Sequence, residues 1–373
     1  MLTMSNISKI IKKIIDQKIL LFVLFLQVIT TIKFLSYGLP SKKDLLIGEK
    51  YVGRISKKFD PSIPIFSEVG YDSQFYWAIA LDPFIRNQEV INSLDSPSYR
   101  YQRIFFPFLV WLLSFGKIPL IVYNLYFICL LSYLLGLYAI LKISKELSIP
   151  PFILVLLYIF NAGIVFSLIH PLADLLASSL VLFAFLLWLK NKFVLSAVVF
   201  TFAGLSKETT LLVPLSIILF NLLNSKKIFN KQSLILLLFI VIPILWQVFI
   251  RYKLGVWPFQ QSYNCFNFPY FGIFEVFKKQ GASKNFFAAV CMILFYIYTI
   301  IKIRFPKNVL ETIVYVQALF LSFAGVAILE DVHSSFRASI IFFLFFSLWY
   351  CTTNIYKGEF VYSREKFLKN GLD

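Results

Sequence analysis

The sequence predicts an all-α membrane protein: a polytopic helical bundle of about ten transmembrane helices with one further re-entrant or interfacial helix. Two observations lead to this prediction. First, 59% of the 373 residues are hydrophobic, whereas soluble domains contain about 45–50%. Second, apolar runs of about 20 residues recur, and a helix needs that length to cross about 30 Å of hydrocarbon. Residues 1–373 are predicted to form a single transmembrane domain.

The apolar runs give the positions of the predicted spans. Eight of them have the length of one span: 19–35, 118–141, 149–168, 172–189, 233–250, 285–303, 309–329 and 336–356. Residues 104–115 are too short to cross and contain Pro107, so they predict the re-entrant or interfacial helix. Residues 193–223 are too long for one span and carry Lys207 and Glu208 at their centre. We expect two short helices there, meeting at the sequence SKET.

Basic residues predict the orientation of the bundle. Lysines precede the first run, and no small-x-small cleavage pattern follows it, so this run is predicted to be an uncleaved signal anchor. If both termini are cytoplasmic, the short basic loops also fall on the cytoplasmic side, namely those with Lys142 and Lys145, Lys190 and Lys192, Lys226 to Lys231, and Lys302 to Lys307. We therefore expect a multi-pass protein of the plasma (inner) membrane, with residues 36–103 forming a large loop on the outer face.

The charge and the cysteines exclude other classes of protein. The formal net charge of +17 is accounted for by basic residues at the membrane surface, so we expect membrane lipid as a partner and no nucleic acid. None of the four cysteines has CxxC spacing, which argues against a disulfide framework and a thiolate metal site. Glycine-rich phosphate loops of the nucleotide-binding types do not occur in the sequence.

Ionisable residues collect on the predicted outer side. Asp174, Lys207 and Glu208 lie at membrane depth, where charged side chains are costly and usually line a cavity or pair with one another. They are therefore candidate site residues. The structural alternative is that Lys207 and Glu208 only satisfy each other at the break between two helices.

The stretch SEVGYDSQFYWAIALDP, residues 67–83, places carboxylates among aromatic rings. Helical spacing puts Asp72 on one side with Phe75 and Tyr76, and Glu68 lies one turn earlier. Such rings commonly stack on sugars, and a carboxylate can accept the proton of an attacking hydroxyl. The alternative is an amphipathic helix in the interface whose Tyr and Trp belong to an aromatic belt.

Three motifs carry a resemblance to a known family. YDSQFYWAIALDP resembles the YDGQFYxxALDP signature of bacterial multi-pass membrane glycosyltransferases of the GT-C type. YRYQRIFFP, at 99–107, resembles the RYRRIxxP stretch that follows it, and GLSKETTLLVP, at 204–214, is similar to that group's LxRETxLLxP segment. Ser73 and Lys207 stand where the family has Gly and Arg, and Lys207 keeps the charge but loses bidentate phosphate recognition.

The resemblance implies a GT-C-like fold and an inverting transfer of a sugar, in cell-envelope glycan assembly. A polyprenyl-phosphate sugar would be the donor, and a hydroxyl of a glycan or glycolipid would be the acceptor. Asp72 is the predicted general base, while Lys207, Arg100 and Arg103 would stabilise the leaving phosphate. The family also allows a divalent cation, Mg or Mn, near Glu68 or Asp82, although no ligand spacing here requires one. The other predicted substrate-binding residues are Tyr71, Gln74, Tyr76, His170, Asp174, Glu208, His333 and Arg337.

Purely structural roles remain open for the two histidines, and other classes of function remain open for the whole chain. His333 follows two acidic residues, as solvated loop histidines often do, and His170 precedes Pro171, where its ring can cap the turn. A transporter or flippase of lipid-linked sugars would also carry charges in a central cavity. A non-catalytic scaffold of an envelope-polymer complex would tolerate the loss of Asp72.

Overall fold

The protein is described here from a computed structural model. It covers residues 41–224, 231–262 and 264–355, together with isolated helical positions between 22 and 32. The remainder of the predicted span 19–35, the basic loop 226–230 and the C-terminal tail with Lys357 lie outside the described residues. Within the described part the fold is helical, apart from one parallel pair of two-residue strands, β1 (Ile47–Gly48) and β2 (Ile65–Phe66).

The helices fall into two groups along the chain. A cap formed by residues 41–103 contains α1 (Gly53–Phe59), α2 (Ser73–Leu81), α3 (Gln88–Asn92) and α4 (Pro97–Tyr101). A bundle follows, with α5 (Phe105–Ser114), α6 (Ile118–Glu146), α7 (Pro151–Ile159), α8 (Ala162–Ile169), α9 (Ala173–Leu189), α10 (Phe193–Ser206), α11 (Leu212–Asn224), α12 (Lys231–Leu254), α13 (Phe271–Gln280), α14 (Lys284–Ile303), α15 (Val309–Ser322), α16 (Val326–Leu329), α17 (Val332–Ala338) and α18 (Ile340–Tyr350).

Helix α9 lies at the centre of one half of the bundle. It packs between α6 and α10, and α10 packs in turn against α12. Leu175, Leu182 and Phe185 are fully buried on it, as expected for a helix that is apolar all round. In the other half, α15 packs against α11, α14 and α18. The core therefore runs through both halves rather than forming a single layer.

The two ends of the bundle differ in chemistry. At one end, Lys190 pairs with Glu146 at 3.6 Å, and the other lysines of these turns, at 142, 145 and 192, lie nearby in the chain. At the opposite end, the cap meets the start of α9 and the ends of α10 and α17, since Arg337 contacts Asp72 and Asp174 and Lys207 contacts Asp174. This second end is called the cap end below.

The helix lengths support a membrane protein but do not confirm ten spans. Three helices, α6, α12 and α14, are long and apolar enough to cross. The count reaches five if two bent pairs are single spans, namely α7 with α8, bent by 47°, and α17 with Ile340–Thr353, bent by 55°. The other apolar helices have 10–17 residues. These counts concern the described ranges, which omit most of the first predicted span.

Breaks in the helices explain why several apolar runs do not form single long helices. The run 309–329 is helical only to Ser322 in α15, and the backbone leaves the helix before α16 begins at Val326. The run 193–223 divides, as predicted, at Lys207, whose backbone is extended with φ −157° and ψ 119°. Irregular backbone at membrane depth is tolerated where it lines a cavity. The hydropathy of a run does not register such breaks.

The predicted short helix at 104–115 is present as α5, which has 10 residues. At 1.5 Å per residue this gives a length of about 15 Å, half of what a crossing needs. It packs against α2 of the cap and α6 of the bundle. A re-entrant or interfacial position for this helix remains a prediction.

We expect the two ends of the bundle to lie on opposite sides of the membrane. Lys57, on α1, and Asn191, in the turn after α9, are both exposed. Single cysteines introduced at these two positions should react with a membrane-impermeant maleimide from opposite sides of sealed vesicles. Cys265 and Cys291 are accessible, so the four natural cysteines are first replaced. Labelling of both positions from the same side would contradict this arrangement.

Candidate active site

A cavity of about 510 Å³ opens at the cap end of the bundle. Its volume lies within the range of about 300–1,000 Å³ typical of sites for small ligands. Charged side chains from four parts of the chain form one wall, namely Asp72, Asp95, Arg100, Arg103, Asp174, Lys207, Glu208 and Arg337. All but Asp95 are candidate residues from the sequence, so the fold brings together motifs that are up to 265 residues apart.

Asp72 lies at the start of α2 and is held by two arginines. Nη1 of Arg100 donates to Oδ1 of Asp72 at 2.8 Å, and Nη2 of Arg337 donates to Oδ2 at 2.9 Å. Burial alone would raise the pKa of Asp72, but the charges of Arg100 and Arg337 outweigh it and hold the pKa well below its usual range. The carboxylate is therefore ionised at neutral pH, with both oxygens engaged.

Arg337, in α17, links three elements of the site. Besides Asp72, it donates from Nη1 to the hydroxyl of Tyr71 at 2.8 Å and from Nη2 to Oδ2 of Asp174 at 3.0 Å. Its side chain is only 7% exposed. A buried guanidinium needs such partners, because an unpaired buried charge is strongly unfavourable. The cap and the bundle are thus joined through one side chain.

Lys207 and Glu208 do not pair with each other. The alternative prediction, that these two side chains only satisfy each other at the break between two helices, is therefore wrong. Nζ of Lys207 lies 2.5 Å from Oδ1 of Asp174, at the start of α9. Glu208 instead accepts two hydrogen bonds from Arg103, at 3.0 Å from Nε and 2.9 Å from Nη2. The extended backbone at Lys207 sends the two neighbouring side chains to different partners.

Asp95 is a member of the charged wall that the sequence analysis missed. It accepts from Nε of Arg100 at 2.8 Å and from Nη2 at 2.7 Å, which leaves Nη1 of that arginine for Asp72. Tyr99, quoted only as part of a motif, accepts from Arg103 at 2.7 Å. Asp95 lies five residues before Arg100 and just before α4, which begins at Pro97. This short spacing was the signal in the sequence that could have identified Asp95 as a partner of Arg100.

Four predicted residues of the cap do not line the cavity. The Gln74 amide joins loops of the cap, accepting from the Gly48 N–H at 3.0 Å and donating to the Val69 carbonyl at 2.9 Å. Asp82 accepts from two backbone N–H groups after α2, each at 2.6 Å. Glu68 is exposed on the cap surface. The hydroxyl of Tyr76 is buried behind the charged wall, with its ring edge-to-face on Phe106.

The two histidines lie behind Tyr71 rather than in the cavity. Nδ1 of His170 is 2.8 Å from the carbonyl oxygen of Asp44, which ties the start of the cap to the end of α8. His333 stacks on Phe166 with ring centroids 4.6 Å apart, and its Nδ1 lies 3.3 Å from Asp331. Both rings therefore support the position of Tyr71 and its neighbours without contacting the cavity.

Apolar side chains form a second part of the cavity lining, called the apolar wall. They come from the loop before α13, from α15 and the segment after it, from α16 and from the end of α17, and comprise Phe266, Phe320, Leu321, Ala324, Ala327, Ile328 and Ala338. The rings of Phe266 and Phe320 are in contact, with centroids 5.1 Å apart. The cavity thus presents a charged wall and an apolar wall to one ligand.

The residues named for a divalent cation do not fit such a site. Glu68 lies on the exposed surface, and one oxygen of Asp82 is occupied by two backbone donors. Within the described ranges, no group of three or more His, Cys, Asp or Glu side chains is placed to hold a metal ion. Divalent cations prefer several such oxygens.

Replacing Arg337 with Leu should destabilise the protein by about 3–5 kcal/mol, because Asp72 and Asp174 each lose a buried partner. Arg337→Lys keeps the charge and should recover part of the loss. The measurement is thermal unfolding in detergent. The control is Arg54→Leu at an exposed position of α1, which should change stability by about 0.5 kcal/mol or less. Equal unfolding temperatures for Arg337→Leu and the control would contradict the role given to Arg337.

Comparison with known proteins adds no further information. No protein-family model matches the chain, and no curated protein or solved structure matches it either. The function is therefore argued from the residues and geometry of the cavity.

Proposed function

We propose that the protein is a membrane glycosyltransferase that moves a sugar from a polyprenyl-phosphate carrier to an acceptor hydroxyl. The observation that carries the proposal is the two-walled cavity. Its charged wall contains Arg100, Arg103, Lys207 and Arg337, and the apolar wall supplies a hydrocarbon surface in the same cavity. A ligand with a phosphate beside a hydrocarbon chain matches both walls, since guanidinium groups bind phosphate oxygens through paired N–H groups.

The phosphate would bind next to Asp72. Arg100 and Arg337 both contact this carboxylate, so an anion that binds beside Asp72 is within reach of both guanidinium groups. Lys207 lines the same wall and adds an ammonium group; its side chain is 12% exposed. Positive charge fixed at this place stabilises the negative charge that develops on the departing phosphate.

Asp72 then serves as the general base. The acceptor oxygen forms a bond to the anomeric carbon while the bond from that carbon to the phosphate oxygen breaks. The acceptor proton passes to Asp72, and the electron pair of the broken bond stays on the lipid phosphate, held by the arginines. Attack from the side opposite the phosphate inverts the anomeric configuration.

The shared arginines couple donor binding to the activation of Asp72. With both oxygens hydrogen-bonded to arginines, Asp72 is a weak base. A phosphate that takes over hydrogen bonds from Arg100 and Arg337 reduces their stabilisation of the carboxylate, so the pKa of Asp72 rises towards its usual range. The base is thus strengthened only when the donor is in place.

Polar groups at the cavity margin suit a hydroxyl-bearing acceptor. Ser96, Ser262 and Gln261 line it, as does Tyr51, and Gln261 accepts from the Ser98 N–H at 2.8 Å. Hydroxyl and amide groups next to an aromatic face are the usual chemistry of sugar recognition. A glycan or glycolipid acceptor of the cell envelope fits this margin.

The charges of the two ends favour an active site on the outer face. The end opposite the cap carries the basic turns around Lys145, Lys190 and Lys302, and such turns are retained in the cytoplasm. The cap and the cavity then face outwards from the plasma membrane. This is the side on which lipid-linked sugars are consumed in envelope assembly.

Asp72→Asn should lower transfer by about 10²–10⁴-fold, because the amide keeps its size but cannot accept the proton. The matched control is Asp82→Asn, the same substitution ten residues later, just after α2 and away from the cavity. The measurement is transfer of radiolabelled sugar from polyprenyl-phosphate donors to envelope extract by purified, folded protein. Near wild-type transfer by Asp72→Asn would remove Asp72 from catalysis.

The same assay separates the other classes of function. A transporter or flippase of lipid-linked sugars would move the labelled lipid across proteoliposomes, and no covalent product would form. A scaffold would give neither activity and would be indifferent to Asp72→Asn. Product formation that depends on Asp72 is expected only for the enzyme.

Lys207→Ala should reduce turnover by about 10²-fold, the scale for loss of one preorganised donor. Lys207→Arg should restore most of it, because the charge returns to the same wall. The two variants are compared with wild-type protein in single-turnover transfer at saturating donor. Normal transfer by Lys207→Ala would mean that Lys207 serves only to pair with Asp174.

A further inference from the structure

Helix α13 has an unusual exposed face next to the cavity. Phe271, Phe274 and Phe277 recur on one side of this 10-residue helix and are 48%, 69% and 51% exposed. Basic residues follow them at Lys278 and Lys279. Large phenylalanine faces with adjacent lysines are typical of helices that lie in a membrane interface.

The opposite face of α13 packs closely on the segment that carries the apolar wall. A Cβ atom at Gly272 would lie 2.3 Å from the carbonyl oxygen of Ala324, so only glycine fits there. Val276 is fully buried, and Lys279 pairs with Glu330 after α16. The phenylalanine face therefore has a fixed orientation relative to the cavity.

The exposed face continues onto a helix that can span the membrane. α14 begins four residues after α13 and presents Phe287, Leu294 and Ile301, which are 57%, 59% and 71% exposed. The rings of Phe277 and Phe286 are 5.1 Å apart, and those of Phe286 and Phe287 are 5.6 Å apart. The two exposed faces are thus joined without a polar gap.

We propose that α13 lies in the interfacial layer of the bilayer, with its phenylalanine face inserted beside the membrane-spanning helix α14. The occupant of this face is the lipid surface. Lys278 and Lys284, both exposed, are positioned for anionic headgroups. At the margin of the cavity Phe266 is 47% exposed while also lining the apolar wall, so the cavity opens sideways towards lipid at this depth.

The test is a depth measurement that does not depend on any catalytic activity. A nitroxide is attached to a single cysteine at Phe274 in cysteine-free protein, reconstituted in vesicles of phosphatidylcholine and phosphatidylglycerol. We expect the label to be relaxed more by oxygen than by a water-soluble nickel chelate, at about 5–10 Å below the headgroup boundary. Labels at Leu294, on α14, and at Lys57, on α1, give the lipid and water references.

A label at a second position shows whether the first result is a local effect of the label. Phe271→Cys lies one turn earlier on the same face and should give the same oxygen preference. Nickel accessibility at Phe271 and Phe274 equal to that at Lys57 would overturn the proposal, since the face would then be in water and free for a protein partner. Loss of sugar transfer leaves this readout unchanged, so the two proposals fail independently.

Discussion

The buried guanidinium of Arg337 is the interaction on which the site depends. It contacts Tyr71 and Asp72 of the cap and Asp174 of the bundle. Because desolvating a charge is costly unless it is paired and hydrogen-bonded, these three groups must be brought to one place whenever the fold forms. The cap is therefore positioned by electrostatics as well as by packing, and the orientation of Asp72 follows from the position of α17.

The breaks in the helices serve the same site. α10 ends at Ser206, α9 begins at Ala173, and α17 ends at Ala338, all at the cap end. An uninterrupted helix would make all of its backbone hydrogen bonds internally, and the side chains of Lys207 or Arg337 would project from its side. Breaking the helices at this level creates space and directs ionisable side chains into it, while the apolar remainder of each helix stays in the bundle.

Much of the charged wall was predictable from the sequence, and its pairing was not. Asp72, Lys207 and Arg100 stand in motifs or at membrane depth, where their residue types already indicate a site. Their partners depend on contacts between residues 28 to 265 positions apart, which spacing does not encode. Lys207 was therefore weighed as a partner for its neighbour Glu208, although the extended backbone separates them.

The residues that sequence reasoning misplaced have local roles. Asp82 and Gln74 belong to the motif, yet they accept from backbone N–H groups within the cap. A motif marks such residues without saying whether they contact a ligand or hold the loop that does. A related distinction applies to the predicted span 309–329, since apolar residues that line the cavity, such as Ala324 and Ala327, count towards its hydropathy without being in a long helix.

The charged wall has equal numbers of opposite charges. Among the residues that the structure describes, four cationic and four acidic side chains line the cavity. When an anion binds in this cavity, the cavity acquires an excess of negative charge. A low dielectric makes such an excess unfavourable. Binding of an anionic ligand should therefore be linked to the uptake of a proton or a cation from solution, and its affinity should change with pH and salt where that of a neutral sugar would not.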